Sequence, residues 1–146
     1  MNPFDPELHF RLGSMLALAG WVMLALSPPA RRWTPMVWRL TGLVLPLVLG
    51  VAYVLLFAVH HGPGGYGSLQ AVRQLFDQPG LLAAGWLHYL ALDLFVGTWI
   101  ARRGAALGLP HAALLPCLAL TFLFGPAGLL AFAALCVLTR RPLFET

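Results

Sequence analysis

The stretch Gly80–Ala101, GLLAAGWLHYLALDLFVGTWIA, decides how this chain folds. It is long enough to cross a bilayer as a helix, which takes about 20 apolar residues. It carries one carboxylate, Asp93, near its middle, and one imidazole, His88, five residues earlier. Asp93 is the only acidic residue inside an apolar run, since Asp5, Glu7, Asp77 and Glu145 fall in flanks or loops. An ionisable group at bilayer depth costs about 2.5–3.5 kcal/mol on insertion scales. It therefore needs a partner, a wet pocket or a proton, and Asp93 is the leading functional candidate.

Composition points the same way. Of 146 residues, 60% are hydrophobic and 10% charged, and the mean hydropathy is +0.80. A soluble domain of this size cannot hide so much apolar surface. The length suits a single domain over residues 1–146. Three further apolar runs lie near His9–Leu26, Met36–Val59 and Ala112–Leu138. None alternates with period two, which argues against a β-barrel. The expectation is an all-α, polytopic integral membrane protein, a bundle of four transmembrane helices with both termini on one side. Ser68–Phe76 reads as a short amphipathic helix along the interface between the second and third spans. Ser68 is its N-cap, and Leu69, Val72, Leu75 and Phe76 form its apolar face.

All nine basic residues are Arg. Without Lys there is no retinal Schiff base and no lysine-based covalent catalysis. The net charge of +4 is placed beside the ends of apolar runs, as in membrane flanks, so no nucleic-acid partner is expected. With four spans, the first and third loops carry five Arg and the opposite side four, which leaves orientation weakly specified. The first run follows Asp5, Glu7 and one Arg, so neither a cleaved signal peptide nor a transit segment is expected. On a continuous fourth helix Cys117 and Cys136 would stand about 28 Å apart and could not pair.

On the third run Trp86, Tyr89, Asp93 and Gly97 share one helical face. His88 is turned about 140° from Asp93 and lies about 7.5 Å away along the axis, so the two share a site only if neighbouring helices enclose both. Tyr89, one turn earlier, is a donor for Asp93. Pro46 and Pro126 leave the carbonyls of Gly42 and Phe122 without their helical donors, which a ligand hydroxyl, a neighbouring Thr or a water can satisfy. His9, His60 and His61 fall near one membrane face with Glu7 close by. They are the metal candidates, without an HxxxH or HExxH pattern, and interfacial histidines are the plainer reading.

Gly85–Phe95, GWLHYLALDLF, then Val96–Ile100, followed by Leu118–Leu130, LALTFLFGPAGLL, resembles the abscisic-acid-deficient-four-like, or neoxanthin-synthase-like, family of small four-helix membrane proteins. The resemblance is strongest over Gly80–Phe132; the first two runs match in layout only. It implies conversion of the epoxycarotenoid violaxanthin to the allenic neoxanthin, a plastid role in plants. It carries over His88, Asp93 and the Gly125–Pro126 break. Thr98 departs from the pattern, where Arg is expected in many relatives, and His60–His61 is particular to this chain. Opening an epoxide to an allene needs an acid at the oxygen and a base at a nearby carbon. Asp93 and His88 are assigned those roles, and Trp86, Tyr89, Gly97, Gly125 and Pro126 the binding of substrate. No cofactor is required.

The reading is therefore a carotenoid- or isoprenoid-handling isomerase with membrane lipid and an apolar isoprenoid or carotenoid as partners. A homo-oligomer is left open. The setting without a transit segment is a bacterial inner membrane. Two other readings stand beside it. One is a non-catalytic membrane lipid- or pigment-binding or partner protein in which Asp93 is structural. The other is a haem- or metal-binding electron carrier.

Overall fold

The computed structural model describes residues 3–143, so Glu145 lies outside the described residues. Six helices follow one another: α1 Pro6–Ala25, α2 Thr34–Val59, α3 Leu69–Phe76, α4 Pro79–Ala106, α5 His111–Phe124 and α6 Pro126–Leu138. No strand occurs among the described residues. Of these, α1, α2 and α4 are long and apolar enough to cross a membrane, with 20, 26 and 28 residues.

Local chemistry sets the helix ends. Pro6 opens α1, where a missing N–H costs nothing, and the Asp5 side chain accepts from the Glu7 N–H at 3.2 Å. The hydroxyl of Ser68 accepts from Ala71 N–H at 3.1 Å and caps α3, as expected from its sequence. Pro46 makes α2 irregular. Its ring would strike the carbonyl four residues back in an ordinary helix. The helix widens instead into a π turn over Leu40–Val44, and the Leu45 N–H reaches the Leu40 carbonyl, five residues back.

The central element is α4. Half of its apolar window is buried, against 28% for α1 and 11% for α2. Small residues let the neighbours approach it. A Cβ on Gly20 would lie 2.9 Å from Leu94, and one on Gly42 2.8 Å from Thr98. Beside Gly42, the buried Thr98 hydroxyl donates to Thr41 Oγ1 at 2.8 Å, and Thr41 donates to the Val37 carbonyl at 2.9 Å. This hydroxyl chain pins α2 to α4 where the π turn distorts it.

The fourth apolar run is not one continuous helix. It breaks at Gly125, with φ +50° and ψ −99°, and folds back as a hairpin of α5 and α6. A Cβ on Gly128 would strike Thr121 and lie 2.5 Å from the Cys117 carbonyl oxygen, which only antiparallel packing allows. Contacts along α4 trace the path in and out. Leu114 of α5 covers Gly104, the tip at Gly125 reaches Asp93, and Phe132 of α6 returns to Trp99 with ring centroids 5.7 Å apart. Arg103 Nε then donates to the Leu143 carbonyl at 3.0 Å. At 1.5 Å per residue, α5 and α6 are each only about 20 Å long.

Two expectations are corrected by this fold. Cys117 and Cys136, free and buried, belong to one core cluster with Ile100, Leu114 and Phe132 rather than standing a helix length apart. The described ends of the chain lie at opposite ends of the bundle, not on one side. Arg140 and Arg141 therefore join Arg31, Arg32, Arg39, Arg102 and Arg103 at one end, seven in all, and leave Arg11 and Arg73 at the other.

Candidate functional site

Asp93 is the fifteenth of the 28 residues of α4, at mid-height of the bundle. Its carboxylate meets the hairpin tip. A Cβ on Gly125 would lie 2.9 Å from Asp93 Oδ1 and 3.2 Å from Oδ2, so the tip can sit there only without a side chain. Gly125 is also the N-cap of α6. Helix starts carry partial positive charge, which favours a carboxylate beside them. Tyr89 stands one turn earlier on the same face of α4. Even so, Oδ2 is buried and has no hydrogen-bond partner among the described residues. An orphaned carboxylate oxygen in an apolar interior is costly to keep, and it marks where a polar atom of a ligand would be welcome.

An aromatic ladder runs from Asp93 toward the Asp5 end of the bundle. Tyr89 stacks on Trp86 with centroids 5.5 Å apart, and Trp86 meets Phe10 at 5.6 Å. The Trp86 indole N–H donates to Ser14 Oγ at 3.0 Å, tying α4 to α1. On the other side of Asp93, Gly97 leaves room for the Trp21 ring, whose edge meets Phe122 of α5 at 5.6 Å. The four expected residues of this face are thus on one surface, but not equally enclosed. Gly97 is buried, Asp93 and Tyr89 are half-buried, and Trp86 is 40% exposed. The hairpin descends only to Asp93. Below its tip the face of α4 that carries Trp86 and Tyr89 stays partly exposed.

His88 does not belong to this site. It projects on the far side of α4, where its ring meets Tyr53 of α2 at 5.3 Å. The helical twist between positions 88 and 93 is the reason, because α4 keeps its body between the two side chains. The structure therefore does not bring His88 together with Asp93. The histidines at the Asp5 end do not converge either. His9 Nδ1 pairs with the Asp5 carbonyl at 2.9 Å, His60 Nδ1 pairs with the Leu56 carbonyl at 3.1 Å, and the His60 ring covers Gly80. No group of three or more His, Cys, Asp or Glu comes together among the described residues. Thr98 faces Thr41, away from Asp93. Sequence reasoning missed Ser14, Phe10, Trp21 and Phe122. Ser14 had a readable signal, as a hydroxyl inside the otherwise apolar first run.

Three long apolar helices, the central one carrying a carboxylate against the tip of a half-depth helical hairpin, define a small all-α bundle with a polar site at mid-height. The chain belongs to the ABA DEFICIENT 4-like (ABA4-like) family, whose model matches residues 8–132. The match takes in nearly all of α1, then α2, α4, the hairpin tip and Phe132, and so Ser14, Trp86, Tyr89, Asp93 and Gly125. No curated protein and no solved structure matches the chain significantly.

Proposed function

We propose that the chain is an integral membrane isomerase of oxygenated carotenoids or related isoprenoids, with Asp93 as its acid–base group. The observation that carries this reading is Asp93 Oδ2, buried beneath the hairpin tip without a hydrogen-bond partner among the described residues. The partly exposed face of α4 beside it, with Tyr89 and Trp86, is where a long apolar substrate would approach from the lipid. Three helices cross, and the hairpin is re-entrant, since a 20 Å helix falls short of a hydrocarbon core of about 30 Å. Irregular backbone at that depth is tolerated where protein buries it, and the tip at Gly125 lies against α4. The Arg-rich end, with seven of nine, is assigned to the cytoplasm, which for a bacterial cell makes this an inner-membrane protein.

The family and the unpartnered carboxylate oxygen together suggest epoxide opening to an allene. In that isomerisation one epoxide C–O bond breaks and its oxygen gains a proton. The adjacent vinylic carbon loses a proton, and its electron pair forms the new double bond. Nothing is consumed. One carboxyl group can perform both transfers, giving a proton from one oxygen and taking one at the other. That removes the need for His88. Tyr89 orients the carboxyl, and the Trp86–Tyr89 stack offers a flat wall to the ring of the substrate.

The same contact supports a second reading, in which Asp93 anchors the tip and performs no chemistry. Asp93→Asn separates the two. Asn keeps the volume and hydrogen bonds but cannot exchange a proton, so an acid–base role predicts loss of product with the fold intact. Product is measured by chromatography of lipid extracts from cells that make the epoxycarotenoid, normalised to folded protein. His88→Gln should keep most activity. A well-folded, active Asp93→Asn variant leaves the anchoring role.

A further inference from the structure

The far side of α4 carries a second set of unused polar groups. His88 and Tyr53 stand ring to ring at 5.3 Å, and neither makes a hydrogen bond among the described residues. His88 is exposed and Tyr53 half-buried, on helices long and apolar enough to cross a membrane, so in a bilayer their N–H and O–H would face lipid rather than water. They lie at the junction of two cavities. The first, of about 300 Å³, is walled by Phe57, Tyr66, Phe76 and Gly85 together with Tyr53 and His88. Its floor is α3, whose Phe76 ring approaches α4 only because Gly85 has no side chain; a Cβ there would lie 2.7 Å from Phe76 Cε1. The second, of about 290 Å³, runs from Tyr53 and His88 along α4 past Ala91 and Leu92 to Phe95, with Pro46 and Gly50 opposite. From His88 to Phe95 it follows α4 for about 10 Å.

The two compartments differ in chemistry. The first is aromatic and offers donors. It suits a flat ring with oxygens that accept hydrogen bonds. The second is apolar and elongated, and suits a hydrocarbon tail. Each is near the small end of the volumes of ligand pockets, and the two share the His88–Tyr53 pair. We propose that this groove between α2 and α4 is a second ligand site, separate from Asp93. It takes a prenylquinone-like lipid, a planar ring with a carbonyl oxygen and a long apolar tail. The Tyr53 hydroxyl donates to one ring carbonyl, the His88 N–H donates to a ring oxygen, and the tail lies along Leu92 toward Phe95. The groups rigidify the ligand and perform no electron transfer. The site does not rest on the isomerase reading, because neither Asp93 nor Gly125 lines it.

The test titrates purified protein in detergent with decylubiquinone and follows its melting temperature. The wild type should show a saturable rise. Tyr53→Phe, which removes one oxygen and little volume, should weaken binding about tenfold, and adding His88→Leu should weaken it further. Asp93→Asn should bind as the wild type does. The reduced probe, decylubiquinol, has lost its carbonyl acceptors and should bind less tightly than the quinone. Three results would overturn the proposal: a rise that never saturates and is the same in every variant, as for partition into the micelle; saturable binding untouched by Tyr53→Phe and His88→Leu together; or binding lost in Asp93→Asn but kept in the other two, which would move the ligand to the Asp93 side of α4.

Discussion

Adding one methyl group to Gly125 tests whether the hairpin tip rests on Asp93. Gly125→Ala meets two penalties. The backbone at φ +50°, ψ −99° is one that L side chains rarely adopt, and holding a residue in so sparse a region costs about 1–3 kcal/mol. The new Cβ would also lie 2.9 Å and 3.2 Å from the carboxylate oxygens of Asp93, and such overpacking costs about 1–3 kcal/mol. Gly108→Ala is the control. Gly108 has φ +71° with nothing within 4 Å of an added Cβ, so it pays for strain alone. Equilibrium unfolding in mild detergent should place Gly125→Ala about 1–3 kcal/mol below Gly108→Ala. Removing the carboxylate should relieve the contact. In a cycle with Asp93→Ala, the double variant should be less damaged than the sum of the singles, with a coupling of about 1–3 kcal/mol. Additive penalties at Gly125 and Asp93, within about 0.5 kcal/mol, would refute the contact and with it the half-depth hairpin.

Other expectations follow from the same geometry. Topology reporters after Pro29, after Gly108 and at the C-terminus should all report one side, and a reporter after Gly64 the other; a C-terminal reporter that agrees with Gly64 would restore four spans. Gly97→Leu should drive a side chain into the Trp21 ring and destabilise the bundle by about 1–3 kcal/mol, read by thermal melting, whereas Gly50→Leu, where a Cβ meets nothing within 4 Å, should be nearly silent. Thr98→Val removes the donor to Thr41 but leaves the Thr41–Val37 bond, so a loss of about 1 kcal/mol is expected, and a loss several times larger would mean that the π turn depends on it. Trp86→Phe should keep the stack on Tyr89 but release Ser14; weaker substrate capture with an unchanged chemical step is the expected kinetic signature.

Much of this was legible in the residues. Asp5, Ser68 and the prolines announce helix ends through donors satisfied or missing, and α1, α2, α3 and α4 lie close to where those signals put them. The Trp86–Tyr89–Asp93–Gly97 face follows from helical period alone. The fold of the fourth run does not. Its residues are apolar on every side, so periodicity cannot distinguish a straight helix from two short ones packed together. The Gly125–Pro126 pair marks a break, but whether the chain continues or turns back depends on the φ of Gly125 and on the space beside Asp93. The partners of His88 were hidden for a related reason. The 140° offset from Asp93 was plain in the spacing, while the identity of the helix facing His88 is a property of packing. The π turn before Pro46 was half legible: the missing N–H was evident, the widening that absorbs it was not.

The hairpin also imposes an order on synthesis. Asp93 emerges 32 residues before Gly125, the residue that covers it. At about 5–20 residues per second, the carboxylate waits roughly 2–6 s without its roof. During that interval α4 must be held by α1 and α2 alone, through Gly13, Gly20 and the Thr41–Thr98 pair, all of which precede the hairpin in the chain or lie on α4 itself. The tip can then close only onto a bundle already formed. A nascent chain stalled before Gly125 should accordingly leave Asp93 open to small polar reagents, and the full-length chain should shield it.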